Sequence, residues 1–204
     1  MELGEALERI NTIHAQVART GTFRGYKAAT VGLTGLLAFG VAAFQPLLVP
    51  NPIGKVQQYL QLWIGVAAIS VICVAIELAT RYAKSDSPLQ RAQTRQAVEQ
   101  FVPCLAAGAF TTWALVRFSP DTVHLLPGLW SIMFSLGIFA SCRQLPRQAI
   151  VVAIHYLVAG AACLAMARDV HALSPWAMAG TFGIGQLLTA AVLYFSLERN
   201  HVGR

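Results

Sequence analysis

Six apolar stretches fill most of this 204-residue chain, at 28–49, 60–80, 101–118, 123–141, 148–167 and 176–197. An α-helix needs about 20 mostly apolar residues to cross the roughly 30 Å hydrocarbon core of a bilayer. Each stretch meets that length, and none alternates with period two as the roughly ten-residue strands of a membrane barrel do. Only 12% of the residues are charged and 56% are hydrophobic, with a mean hydropathy of +0.57. Soluble domains carry about 25% charged residues, so a soluble fold has nowhere to put this much apolar surface. The sequence predicts an all-α, polytopic bundle of six transmembrane helices, and residues 1–204 read as one membrane domain.

Lys and Arg orient the bundle. Twelve of the fifteen lie in the N-terminal segment, the second and fourth gaps and the tail, while Lys55, Arg117 and Arg168 stand one each in the other gaps. Positive charge is retained on the cytoplasmic side, which predicts both termini cytoplasmic in a membrane of the bacterial inner-membrane type. Trp63, Trp130 and Trp176 begin spans two, four and six, and Trp113 lies near the end of span three. All four then sit toward the outer interface, the level that Trp prefers. Glu2, Glu5 and Glu8 stand where a cleavable signal carries basic residues, so no processing is expected.

Two segments are expected to shape the cytoplasmic face. Leu3, Leu7, Ile10, His14 and Val17 recur at three- and four-residue steps, the pattern of an amphipathic helix over 1–20 lying on the inner leaflet. Ser87 and Pro88 signal a helix start, and no breaker intervenes before Pro103, so a long protruding helix is expected to run into span three. Arg81, Lys84, Arg91 and Arg95 form a basic surface there. Anionic lipid headgroups are its expected partner. A Gly-rich phosphate loop and a base-reading aromatic set are both missing, and no nucleic acid is expected.

Polar residues inside the spans are the functional candidates, because such groups are costly in lipid. His155 and Tyr156 fall near mid-membrane in span five, and Gln186 at similar depth in span six. His155 is expected either to fix packing through Gln186, Thr34 or Thr111, or to serve a ligand or a proton. Glu77 is the acidic residue inside a span and sits four before Arg81, which favours an i,i+4 ion pair over a proton relay. Asp121 and His124 in one outer gap, and Asp169 and His171 in another, have metal-ligand chemistry in loops that commonly contain such residues anyway. The cysteines lie on four different spans without a CxxC pair. No second histidine shares His155's depth, so a bis-histidine haem within one chain is excluded.

Small residues, among them Gly32, Gly35, Gly40, Ala179, Gly180, Gly183 and Gly185, mark expected helix contacts. GxSxG, HExxH and paired intramembrane carboxylates are missing, and no cofactor is specified. The expectation is therefore a non-enzymatic sensor, regulatory or accessory subunit acting through protein contacts or an apolar ligand. A small-solute transporter or channel with a polar site near His155 and Gln186 is the alternative, with a homo-oligomer as its expected form. A metal- or haem-linked intramembrane enzyme is the third reading.

Overall fold

A computed structural model describes residues 27–85, 87–142, 145–167 and 173–198. The amphipathic segment 1–20 and the pair Asp169 and His171 lie outside these described residues. Everything described is helix or short connection, without a strand. Helix α1 is Ala28–Leu48, α2 is Val56–Lys84 and α3 is Pro88–Phe118. A 3-10 turn, Pro120–Leu125, leads into α4, Leu126–Ser141, and α5 is Ala149–Ala165. The last helix, α6, is composite. It is α-helical over Pro175–Met178, widens to a π turn over Ala179–Gly183, returns to α over Ile184–Leu193, and ends in a second π turn over Tyr194–Glu198.

Five of these helices are long and apolar enough to cross a membrane: α1, α2, α3, the unit Pro120–Ser141, and Pro175–Ser196. Such a set is that of an integral membrane protein. Helix α5 is equally apolar but has 17 residues. Helix α3 is one uninterrupted 31-residue rod with Pro88 in its first turn, about 46 Å long at 1.5 Å per residue. Pro103 sits inside it without ending it. Such prolines are tolerated in membrane helices, where neighbours and local adjustments re-satisfy the freed backbone.

The helices pack as a ring in the order α2, α1, α6, α5, α4, α3. The α4–α5 joint is the tightest. A Cβ added at Gly128 would stand 2.8 Å from Gly160 O, and one at Gly160 would stand 2.9 Å from Gly128 O, so neither position has room for a side chain. Two serines one turn apart clamp the same joint. Ser131 donates to Tyr156 O and Ser135 to Ala153 O, each at 2.7 Å. Between α1 and α6, a Cβ at Gly35 would meet Gln186 Cβ and Gly183 O at 3.1 Å. Close approach of small residues substitutes here for the hydrophobic drive, which lipid does not supply between helices.

The α2–α3 joint is the weak one. These helices meet around Leu78 and Ala97, with Val74 alongside, at the end of the bundle that carries Arg81, Lys84, Arg91 and Arg95. This is the basic end. At the opposite, tryptophan end, Val49, Tyr59, Trp63, Val123, Leu126, Leu173 and Met178 pack into one cluster. Three interhelix connections converge in that cluster and close the end. Between its two ends α2 leaves the ring, and a seam opens beside α3.

Candidate functional site

Behind that seam lies a cavity of about 690 Å³, within the range of small-molecule sites. Helices α1, α2, α3, α4 and α6 all contribute to its walls, and α5 does not. On α3 the lining runs from Arg117 down to Cys104, about 20 Å at 1.5 Å per residue. That reaches about two-thirds of the way through a 30 Å hydrocarbon core. Ile64, Ala67 and Val71 on α2, with Leu105 and Ala109 on α3, are both exposed and part of the lining. The cavity therefore opens sideways, between helices, through an apolar slot.

Its middle wall is aromatic and fixed. Trp63 donates through Nε1 to Gln45 Oε1 at 2.9 Å, and Gln45 Nε2 donates to Leu173 O at 3.0 Å. Gln45 is 1% exposed, and its amide ties α1, α2 and the α5–α6 connection together. Trp130 donates to Thr112 Oγ1 at 2.8 Å, and that hydroxyl donates in turn to Gly108 O at 2.7 Å. Both indoles thus have their N–H groups partnered and turn apolar ring surface to the cavity. Phe134 and Phe182, 5.7 Å apart and edge-on, continue the wall.

The floor is polar. Thr34 donates to Val31 O at 2.7 Å, Ser70 to Val66 O at 2.8 Å and Cys104 to Met133 O at 3.0 Å. Gln186 also lines the floor, and among the described residues its amide has no hydrogen-bond partner. At the upper rim, on the tryptophan side of the slot, stand Gln57, Gln61 and Arg117. Arg117 lies 5.9 Å from the centroid of the Phe118 ring, and among the described residues it is the one formally charged side chain in the lining.

The sequence candidates fall in several places. Gln186 lines the cavity, whereas His155 and Tyr156 pack behind it. His155 Nε2 approaches Gly180 O at 3.1 Å and Thr181 O at 3.3 Å. Both partners are carbonyls, so Nε2 carries the proton. A π turn interrupts the i→i−4 ladder, and the imidazole serves the carbonyls within it. Tyr156 is fully buried, its ring centroid 4.8 Å from that of Phe134 and 5.5 Å from that of Phe182. Its hydroxyl has no partner among the described residues. Glu77 pairs with Arg81 at 3.2 Å, toward the basic end and away from the cavity. Of these four side chains, Gln186 lines the cavity and the other three do not.

The basic surface is largely occupied internally. Arg91 donates to Ser85 O at 2.9 Å and lies 5.8 Å from the Tyr82 ring centroid, and Arg95 pairs with Glu99 at 3.3 Å. Lys84 is exposed. Asp121 and His124 sit on the 3-10 turn at the tryptophan end. Among the described residues no three His, Cys, Asp or Glu side chains converge as a metal site requires.

Sequence reasoning passed over Gln45, Ser131, Ser135 and Gly108. Gln45 had a signal: it is a lone amide in an apolar run, directly before Pro46. The serines had their four-residue spacing. Gly108, where an added Cβ meets nothing within 4 Å, had none, because its importance is the empty space in front of it. No family model, no curated protein and no solved structure matches this chain.

Proposed function

We propose that this chain is a six-span protein of a bacterial-type cytoplasmic membrane, with both termini in the cytoplasm, that acts as a non-enzymatic sensor, regulatory or accessory subunit by holding an apolar ligand behind the α2–α3 seam. The cavity carries this reading. Its walls are apolar and aromatic, its slot opens toward lipid, and its length matches the reach of a lipid chain. The positive-inside bias supports the orientation. The short α5 supports a sixth span because its apolar length is within the lower range for a crossing. The positive charge of Lys84 and the arginines beside it supports contact with anionic headgroups of the inner leaflet.

Gly108 provides the test. An added Cβ there meets open space and the residue lines the cavity, so Gly108→Phe puts its ring into the cavity. The native protein, gently solubilised, is expected to release a co-purified lipid-like molecule on organic extraction. The Gly108→Phe protein is expected to melt at an equal or higher temperature and to release none. Equal ligand content in both proteins would refute the assignment.

A further inference from the structure

We infer that the cavity takes its ligand head first: a neutral amphiphile seats a carbonyl or hydroxyl on the Gln186 amide, and its hydrocarbon tail leaves through the α2–α3 seam. This rests on the cavity being a site for an apolar ligand, and it names the chemistry that site selects.

The floor decides the matter. An unpaired amide in a membrane interior is costly, because lipid offers it no partner. The hydroxyls of Thr34 and Ser70 and the thiol of Cys104 already donate to backbone carbonyls. They retain only acceptor capacity. Among the described residues the NH2 group of Gln186 is therefore the donor left over at the floor, and the occupant must bring an acceptor to it. A carbonyl does this, and a hydroxyl also donates back to the acceptors.

Charge sets the second condition. Among the described residues no cation lines the floor, and Arg117 stands at the upper rim, about 20 Å higher along α3. A carboxylate or phosphate seated on Gln186 would be buried without a counter-charge, which is far costlier than a neutral group. The head is therefore neutral. The walls set the third. Trp130, Phe134 and Phe182 present ring faces and edges just above the floor, which suits a flat or unsaturated group beside the polar atom. The tail then follows the apolar slot outward, where lipid replaces the protein as its surroundings.

The test uses the full-length protein in lipid nanodiscs. Trp63, Trp113 and Trp130 line the cavity, so a bromine-labelled dodecylbenzene bound there quenches their fluorescence. Displacement is then compared for 2-tridecanone, tridecane and dodecanoate. The ketone is expected to displace the probe at a concentration about five- to tenfold below that of the alkane, the effect of one net hydrogen bond. Gln186→Met keeps an unbranched side chain beside Gly35 and should bring the ketone to the alkane's level. Quenching by the probe should persist, and the melting temperature should not fall, because the costly unpaired amide is gone. Equal displacement by ketone and alkane in the native protein overturns the inference, as does a ketone preference that survives in Gln186→Met. Strongest displacement by dodecanoate overturns it too, because the head then lies at Arg117. If the probe does not quench, or quenches Gly108→Phe equally, the ligand cavity itself fails and this inference falls with it.

Discussion

Adding one methyl group at Gly185 should damage this protein more than the same change at any open glycine. A Cβ there would stand 2.6 Å from Tyr156 Oη and 2.7 Å from Cε2, and it also meets Cζ. The ring has no easy retreat. It is 0% exposed, with Phe134 and Phe182 packed against it. Overpacking of a filled core costs about 1–3 kcal/mol, and three blocked atoms on a wedged ring argue for the upper end. Alanine returns about 1 kcal/mol of helix propensity over glycine. The net loss expected for Gly185→Ala is then about 2 kcal/mol, or roughly 4–8 °C of melting temperature for a chain of this size. The assay is a thermal melt of the purified protein, with Gly108→Ala and Gly40→Ala as controls, since nothing lies within 4 Å of either added Cβ. The controls should melt no lower than the native protein. Tyr156→Leu removes the blocking atoms, so the double variant should be more stable than the sum of the single losses, by about 0.5–3 kcal/mol. A Gly185→Ala protein as stable as Gly108→Ala would refute the packing argument.

Four further outcomes are expected. His155→Leu removes one hydrogen bond to the π turn, and membrane hydrogen bonds average about 0.6 kcal/mol. A small drop in melting temperature with ligand content unchanged is expected, and loss of ligand without loss of stability would contradict it. Gln45→Leu strands the Trp63 N–H and the Leu173 carbonyl, each costing about 1–3 kcal/mol when buried unpaired. It should lower the melting temperature more than His155→Leu and shift the tryptophan emission, whereas an unaltered spectrum would contradict the Gln45–Trp63 link. Reporter fusions after residue 204 and within 50–58 should report opposite sides of the membrane; the same side for both would end the six-span proposal. Exchanging Arg81, Arg91 and Arg95 for Lys should leave binding to anionic vesicles intact, while Gln at each should weaken it by about 1 kcal/mol. Loss of binding in the Lys variant would show that guanidinium geometry, not charge, is recognised.

The sequence by itself determined what is local. Helical class and the apolar segments follow from sums of hydropathy over neighbouring residues; of the six stretches, five reappear as helices long enough to cross a membrane, and 148–167 as the 17-residue α5. The Glu77–Arg81 pair and the unbroken α3 from Pro88 were legible for the same reason, since both depend on spacing within one helix. Gly35, Gly183 and Gly185 were legible as contact residues, but Gly40 and Gly180 look the same in sequence and touch nothing with an added Cβ. What separates them is which helix stands opposite. The tertiary structure alone decided that His155 serves carbonyls of a π turn, that Gln45 holds Trp63, and that Gln186 faces empty space. Each of these depends on a partner 18 or more residues away, or on no partner at all. The physical reason is the solvent. Lipid tails are as apolar as the side chains, so hydropathy places a helix in the membrane without choosing its neighbour or its rotation. Those are chosen by small residues meeting face to face and by the few polar groups finding each other. The thin α2–α3 joint, where such pairs run out, is where the cavity opens.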